Sequence, residues 1–430
     1  MRLLLPLLLI SCGRDGGVDC AAADDFTPCA LDEAADGTAM CLLGACTAVP
    51  DCEDCASTQY VPVPDTLLAT CYDASDDPEI PCPAEVGTDA CADTPYCGQD
   101  AQYGWDATHD RSERFDLVDP DGEAVVTDTV TGLVWQGCSV GQDPGCAGEA
   151  FRGTWHDARG ACERSTWGGH DDWVLPDVYA LQSITDFSTT SPAIDLTVFR
   201  NAPHLHPDDS ESWWKECTWS STDRADDDSI AWATMVNSGD VLLGSGIPFH
   251  SHDKIADGWE GCYARCMRAE TRPTHARWVR AGTVDEPVWI DTMGQRMWPA
   301  CSVGQAGPDC SGEATQLPWV EALAACEALS WGGFDDWRLA NQLELRSLVD
   351  VRVRQPAIEA ERFPNTPTYD GVDDLRAQYW SATARWYQTF ALYVSFLDGG
   401  SHFYRQEEGR HVRCVRGDIP RKSTSEGETP

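Results

Sequence analysis

Residues 128–142 read DTVTGLVWQGCSVGQ, and residues 291–305 read DTMGQRMWPACSVGQ, with the Trp and the CSVGQ run at the same spacing in both. Further matches follow in the same order, down to RCMR at residues 265–268 and RCVR at residues 413–416. Ordered self-similarity over such a length is typical of tandem copies of one fold. The sequence therefore predicts two homologous domains, which we place at residues 107–276 and 277–417.

The whole chain is acidic and rich in cysteine. It has 430 residues, with 71 Asp and Glu against 30 Lys and Arg, a formal net charge of −41, and 21 Cys. A protein that binds nucleic acid or anionic lipid through surface charge needs a basic patch, so neither class of partner is expected. So many cysteines favour an oxidising compartment, where they form disulfides.

Each copy has the pattern of a strand that ends at the motif tryptophan, Trp135 or Trp298, then two helices and further short strands. The first helix is predicted to begin after Thr154, an N-cap residue with Asp157 three positions later, and its partner spans residues 319–329. The second helix is predicted to begin at Asp177 in the first copy and at Asn341 in the second. Short strands follow, up to the closing RCMR and RCVR motifs. This order predicts an α+β fold with a short antiparallel sheet.

The cysteines fit this order. Bridges from the first helix to the last strand would join Cys162 to Cys266 and Cys326 to Cys414. Each would close a loop of about 100 residues and stabilise the fold by roughly 4 kcal/mol in the chain-entropy model. Two cysteines that occur only in the first copy, Cys217 and Cys262, are expected to pair by elimination. Shorter pairs are expected within loops: Cys138–Cys146, Cys301–Cys310, Cys71–Cys82 and Cys91–Cys97.

The N-terminus has the features of a secretory signal followed by a lipidation site. An apolar run follows Arg2, and LISC at residues 9–12 resembles a bacterial lipobox. We therefore expect a signal peptide at residues 1–11 and a membrane anchor made of diacylglycerol on Cys12. The residues that follow Cys12 favour an outer-membrane or cell-surface location. Residues 12–106 are predicted to be a loop-rich region ordered by disulfides, and residues 418–430 a disordered tail.

The motifs of the two copies resemble the Lcl C-terminal domain family, which is named for a collagen-like bacterial adhesin. The resemblance rests on four runs: GLVW at residues 132–135, GFDDWRL at 333–339, YWS at 379–381 and VRCVR at 412–416. The chain departs from the usual motif at Val174 and Ala340. Membership implies an adhesin-like surface protein that binds a polysaccharide, a matrix polymer or another protein. The order of helices and sheet is also similar to the C-type lectin fold, in which a second bridge like Cys217–Cys262 anchors a loop.

The first copy has extra loop residues, because the offset between the copies falls from 163 residues at the first match to 148 at the last. These loops contain Trp213 and Trp214, which offer stacking surfaces for a sugar ring or a partner side chain. They also contain four histidines: His204, His206, His250 and His252. These either bind zinc or a similar metal, or are exposed residues of the loops. The Asp-Asp-Trp turns at residues 171–173 and 335–337 are predicted to be loop and cap residues beside a core tryptophan. The alternative is that their carboxylates bind calcium. No other cofactor is expected.

Two classes of function are open from the sequence. The chain lacks GxSxG, HExxH, P-loop and GxGxxG motifs, which favours binding without catalysis. The alternative is an enzyme on the same fold whose active site cannot be recognised from sequence motifs, such as an oxidase or a glycan-active enzyme.

The balance of charge disfavours a sulfated polysaccharide as the ligand, because the first copy has 29 acids against 12 bases. An anionic ligand is expected only in the second copy, near five arginines: Arg338, Arg346, Arg352, Arg354 and Arg362. The alternative is that these arginines pair with Glu344, Glu359 and Glu361.

Overall fold

The structure is a computed structural model. It describes residues 39–43, 45–49, 63–64, 66, 68, 70–73, 79–82, 91, 94–103, 114–189, 192–203, 217–224, 227–234, 250–253, 261–268, 277–368, 377–384 and 389–417. The expected signal peptide, Cys12 and the C-terminal tail lie outside these residues. No helix in the described part of the chain is long and apolar enough to cross a membrane.

The described strands of the two repeats correspond one to one. Four short strands precede the repeats: β1 (Ala39–Leu42), β2 (Ala45–Ala48), β3 (Cys71–Tyr72) and β4 (Glu79–Ile80). The first repeat contains β5 (Phe115–Val118), β6 (Val125–Asp128), β7 (Val134–Gln136), β8 (Arg152–Gly153), β9 (Trp173–Val174), β10 (Thr218–Arg224), β11 (Asp227–Thr234), β12 (His250–Asp253), β13 (Cys262–Tyr263) and β14 (Met267–Arg268). The second contains β15 (Trp278–Gly282), β16 (Pro287–Asp291), β17 (Arg296–Pro299), β18 (Gln316–Leu317), β19 (Arg338–Leu339), β20 (Gln378–Ala384), β21 (Phe390–Ser395), β22 (Ser401–Arg405), β23 (Arg410–His411) and β24 (Cys414–Val415).

The helices begin where the sequence predicts. They are α1 (Trp155–Glu163), α2 (Val178–Ser183), α3 (Trp319–Glu327) and α4 (Gln342–Ser347). The Thr154 hydroxyl accepts a hydrogen bond from the backbone N–H of Asp157 at 3.2 Å, and the Asp177 carboxylate caps α2 in the same way. Asn341 and Glu344 form a reciprocal capping box at α4. α3 ends at Glu327, two residues earlier than expected.

Each repeat has two sheets, so the prediction of one antiparallel sheet after the helices needs correction. In the first repeat the strand orders are β5-β6-β7-β14-β9 and β12-β11-β10-β13-β8. The second repeat has the same orders, with one bridge between Met297 and Arg416 in place of the β17–β24 ladder. One pair in each repeat is parallel, β10 with β13 and β20 with β23. The last two strands of each repeat join different sheets: β13 and β23 lie in the second sheet, and β14 and β24 pair with strands of the first.

Disulfides tie these elements together. Cys162 of α1 is bonded to Cys266 beside β14, and Cys326 of α3 to Cys414 of β24. Cys217 is bonded to Cys262, which joins the start of β10 to β13. The remaining pairs expected from the sequence are also present: Cys71–Cys82, Cys91–Cys97, Cys138–Cys146 and Cys301–Cys310. The fold is therefore a mixed α and β architecture in tandem, with small sheets and many disulfides.

The two repeats share a hydrophobic core through corresponding helices. Val178 of α2 and Trp232 of β11 pack with Leu343 and Leu345 of α4 in one cluster of buried residues. The Tyr179 hydroxyl donates to the carbonyl of Val349 at 2.9 Å and accepts from the N–H of Val351 at 3.2 Å. Burial raises the pKa of Tyr179, so its hydroxyl stays protonated and able to donate at ordinary pH.

The described residues of the N-terminal region pack on the second repeat, where the sequence predicted only order from disulfides. Leu42, Leu68 and Tyr72 are buried in the core that contains Trp319 and Trp380. This region had been expected to contribute little core because large aliphatic residues are few. The second repeat supplies the apolar surface that this region lacks.

A short polar bridge fixes the N-terminal region to both repeats. The Asp100 carboxylate accepts hydrogen bonds from the hydroxyls of Thr66 at 2.8 Å and Thr383 at 2.7 Å, and it is 4% exposed. The carbonyl of Thr66 accepts from the N–H of Phe187 in the first repeat. Buried carboxylates need such partners. Here the two hydroxyls come from the N-terminal region and the second repeat, and the carbonyl of Thr66 extends the bridge to the first repeat.

We expect the Tyr179→Phe variant to lose about 1–3 kcal/mol of unfolding free energy, because the buried backbone groups at 349 and 351 lose their partner. Urea denaturation with the disulfides intact measures the change. The matched control is Tyr404→Phe, since Tyr404 is 43% exposed, and it should stay within about 0.5 kcal/mol of the parent. Equal stability of the two variants would contradict the role of Tyr179 at the interface.

Candidate functional site

One end of the second sheet in the first repeat gathers the longest connections. Thr218 at the start of β10 lies opposite Thr234 at the end of β11, and Ala233 lies opposite His250 at the start of β12. The described residues that border segments 204–216 and 235–249 therefore lie side by side at this end of the sheet. We call this the loop end, defined by Thr218, Thr234 and His250.

The same end of the second repeat is short. β21 and β22 are joined by residues 396–400, and the N–H of Ser395 donates to the carbonyl of Gly400 at 2.8 Å in a tight hairpin. Gly399 has a φ of +90°, which a residue with a side chain rarely adopts. The two repeats thus share a scaffold and differ in what they present at this end.

The structure describes only part of the predicted ligand residues. Trp213, Trp214, His204 and His206 lie outside the described residues. His250 and His252 are in β12, paired with Ala233 and Ala231 of β11. Within the described residues, no group of three or more His, Cys, Asp or Glu could hold a metal ion. Zinc and calcium binding stay predictions that these residues do not test.

The Asp-Asp-Trp turns belong to the scaffold. Asp172 forms a bidentate pair with Arg268, the last residue of RCMR, with distances of 2.8–3.1 Å. Asp336 pairs with Arg416 through one contact at 2.5 Å. The hydrogen bond from Arg268 lowers the pKa of Asp172. In both repeats the second aspartate of the turn therefore pairs with the last arginine of the closing motif, as a structural role for these turns requires.

The anion surface expected in the second repeat does not form among the described residues. Arg338 and Arg346 are 4% and 1% exposed, so burial removes them from the surface. Arg338 pairs with Glu344, Arg362 with Glu359, and Arg352 with Asp350. The alternative, pairing with Glu344, Glu359 and Glu361, holds for two of the five arginines, Arg338 and Arg362, while Arg352 pairs with Asp350 instead. The sequence shows the charges but not which of them the fold buries.

Glu344 is the centre of the largest buried ion cluster of the second repeat. Its carboxylate accepts from Arg338 at 2.5 and 2.7 Å and from Arg296 at 2.6 Å. It also accepts from the backbone N–H of Asn341, which links the cluster to the cap of α4. Burial alone would raise the pKa of Glu344, but the two guanidinium groups outweigh it and lower the pKa to about 2.

The first arginine of each closing motif is buried without a carboxylate. Arg265 donates to the carbonyls of Gln136 and Gly137 at 2.9 Å and to the Ser139 hydroxyl at 3.2 Å. Burial lowers the pKa of Arg265 to about 10. Arg413 makes the corresponding bonds in the second repeat. These bonds hold the CSVGQ loop to the last strand of each repeat, a role that the repeated motif alone does not indicate.

Comparison with known families supports the duplication. The family model described as the Lcl C-terminal domain matches residues 124–253 and 288–416. No curated protein and no solved structure matches the chain. The matched ranges contain Asp172 and the Asp336–Arg416 pair, the helix disulfide cysteines of α1 and α3, and both copies of the CSVGQ loop.

We expect Glu344→Gln to destabilise the chain by about 3–5 kcal/mol at pH 7, because two buried guanidinium groups lose their counter-charge. The folded-state pKa of Glu344 lies below its unfolded value. Its contribution is therefore complete above about pH 4.5 and falls as the pH drops towards 2.

Urea denaturation between pH 2 and pH 7 tests this. The stability gap between parent and variant should narrow as the pH falls through that window. Glu361→Gln is the control, since Glu361 is exposed and should show little change at any pH. A gap of constant size down to pH 2 would show that the charge of Glu344 is not the cause.

Proposed function

Because the chain belongs to the Lcl C-terminal domain family, we propose that it is an adhesin-like protein of the bacterial surface that binds a polysaccharide without catalysis. The observation that carries this proposal is the contrast between the repeats. Both use their motif residues for the scaffold, and the first repeat adds long segments at one place, the loop end. Binding and specificity residues concentrate on loops that a rigid scaffold positions.

The loop end has the support that a recognition surface needs. The Cys217–Cys262 disulfide joins the strand that follows one long segment to β13, and it is absent from the second repeat. A disulfide at the base of a loop lowers the conformational entropy that the loop loses on binding a ligand. Trp213 and Trp214 lie in the segment that ends at Cys217, and they supply flat apolar surfaces suited to a sugar ring.

The charge of the protein narrows the class of polysaccharide. The chain carries a net charge of −41, and the first repeat has 29 acids against 12 bases. A polyanion would be repelled at low salt, so we propose a neutral or basic polymer. A matrix protein is the alternative ligand.

We also propose that each repeat has a C-type lectin-like fold. Support comes from the disulfide that joins the first helix to the last strand in both repeats, and from the second bridge of the first repeat. The parallel pairing of β10 with β13 and β20 with β23 is a further topological test for any such comparison.

Anchoring forms the last part of the proposal. A lipid on Cys12 would hold the protein to the outer membrane. The N-terminal region packs mainly on the second repeat and is bonded to the first at Phe187, so the anchor would lie at the end of a segment attached to both repeats.

We expect the Trp213→Ala/Trp214→Ala variant of the full chain to lose polysaccharide binding by about tenfold or more, as for aromatic residues at the centre of an interface. An array of bacterial and host polysaccharides, followed by titration of the strongest hit, measures this. The matched control is Trp386→Ala/Tyr387→Ala, the aromatic pair between β20 and β21, which should keep binding.

The melting temperature of both variants should equal that of the parent. Unchanged binding in the first variant would place the ligand elsewhere, and binding of only a matrix protein would replace the polysaccharide. Turnover of any glycan on the array would contradict binding without catalysis.

We expect Cys12→Ala to move the protein from the membrane fraction to the soluble fraction, because one acylated cysteine is the anchor in this proposal. Fractionation followed by immunoblotting measures the shift. Cys12→Ser is a second variant that also blocks lipidation while keeping a polar side chain. Retention of both variants in the membrane fraction would contradict the proposed anchor.

A further inference from the structure

The first repeat contains a small cavity beside Arg265 at the loop end. It holds about 20 Å³, room for one or two groups the size of a water molecule, and it is partly open to solvent. Its wall combines a guanidinium, two hydroxyls and apolar side chains, which are Arg265, Ser139, Thr218, Leu181, Ile184, Ile194, Ala202, Pro203 and Ala264. None of these residues belongs to the ion pairs or the disulfides described above.

The second repeat fills the corresponding space with its own side chains. Tyr379 takes the place of Thr218, Thr366 that of Ala202, and Val412 that of Ala264. Tyr379 and Val412 are fully buried, and Thr366 is 6% exposed. Three lining positions are therefore smaller in the first repeat, and together they leave the cavity open.

The occupants in the second repeat are polar where they meet the arginine. The Tyr379 hydroxyl is 2.8 Å from the Ser302 hydroxyl, and the Thr366 hydroxyl accepts from Arg413 at 3.1 Å. Arg413 also lies over the ring of Tyr379, with 5.6 Å to the centroid. In the second repeat, the groups that fill this space therefore accept a hydrogen bond from the guanidinium of Arg413 and bond to the Ser302 hydroxyl.

In the first repeat the same polar groups lack these partners. Arg265 has no carboxylate partner among the described residues, and its bonds go to two carbonyls and to Ser139. The Thr218 hydroxyl, on a residue 8% exposed, makes no hydrogen bond with the described part of the chain. The Ser139 hydroxyl accepts from Arg265 but lacks the acceptor that Tyr379 offers to Ser302. A buried cation and two hydroxyl donors therefore line one cavity.

We propose that this cavity of the first repeat binds the carboxylate group of a small monocarboxylate such as formate or acetate, whose two oxygens fill the space for one or two water-sized groups. One carboxylate oxygen accepts from Arg265, and the other accepts from the hydroxyls of Ser139 and Thr218. The hydrogen or methyl group of the ligand lies in the opening to solvent. A carboxylate supplies the negative charge that the buried guanidinium lacks, and charge-assisted hydrogen bonds are the strongest that such a site offers.

The acidity of the whole protein does not oppose this ligand. The net charge acts on polyanions at long range and is screened by salt, whereas the cavity interacts with one ion at contact distance. The cavity lies at the loop end, but its polar lining residues Arg265, Ser139 and Thr218 are buried and the site needs no contribution from Trp213 or Trp214. The two proposals therefore fail or succeed independently.

Saturation-transfer NMR on the methyl protons of sodium acetate, with the full chain, tests the site. Sodium sulfate keeps the ionic strength constant. We expect saturable transfer that weakens about tenfold in affinity in Ser139→Ala and in Thr218→Val, since each loses one hydrogen bond to the charged ligand. The matched control is Ser302→Ala in the second repeat, which should leave acetate binding unchanged.

A second pair of variants exchanges the repeats. Thr218→Tyr with Ala202→Thr fills the first cavity with the side chains of the second repeat and should abolish acetate transfer. Tyr379→Thr with Thr366→Ala, introduced into that filled chain, should open the second cavity and restore it. The Ser139 and Thr218 variants above keep the test valid if a filled chain does not fold.

Several outcomes overturn the proposal. Absence of acetate transfer in the parent at tens of millimolar acetate would mean that the cavity holds water only. Transfer that is unchanged in Thr218→Val and in the filled chain would place acetate at another site. Loss of transfer in Ser302→Ala but not in Ser139→Ala would assign binding to the second repeat.

Discussion

Each repeat depends on a tryptophan at the first residue of its first helix. Trp155 donates its indole N–H to the carbonyl of Ser220 at 2.7 Å, and Trp319 donates to Ser381 at the same distance. A buried indole N–H needs an acceptor, so the pairing fixes the helix to a strand of the second sheet. The disulfide at the other end of the helix then fixes it to the last strand. With both ends held, each helix joins the two sheets of its repeat.

The local rules of the sequence predicted much of this arrangement. Thr154, Asp177 and Asn341 cap the helices they were expected to cap, and the duplication indicated which cysteines correspond. The strand at the motif tryptophan was predicted and is present as β7 and β17, whereas β5 and β6 were missed, although Pro120, Asp121 and Gly122 form a turn signal between them. The division into two sheets was missed because β8 and β13, which complete the second sheet beside β10, are only two residues long, too short for a periodic pattern.

The contacts that could not be predicted from the sequence join residues that are far apart along the chain. Nothing near Tyr179 indicates that its hydroxyl binds the backbone at Val349, and nothing near Asp100 indicates Thr383. The five arginines of the second repeat looked like an anion surface because charge in a sequence does not reveal burial. The replacement of Tyr379 by Thr218 was visible once the repeats were aligned, but only the structure shows that a guanidinium forms the wall behind it.

The contact between α2 and α4 has a consequence for the origin of the chain. These helices occupy the same position in the two repeats, so each copy meets the other through an equivalent element. Contacts of that kind are made by two-fold symmetric homodimers, in which one patch faces itself. Duplication within one chain makes such an association independent of protein concentration. Duplication also allows the sequences of the two copies to diverge. Tyr179 of α2 therefore lies against α4, in which the equivalent residue is Leu343.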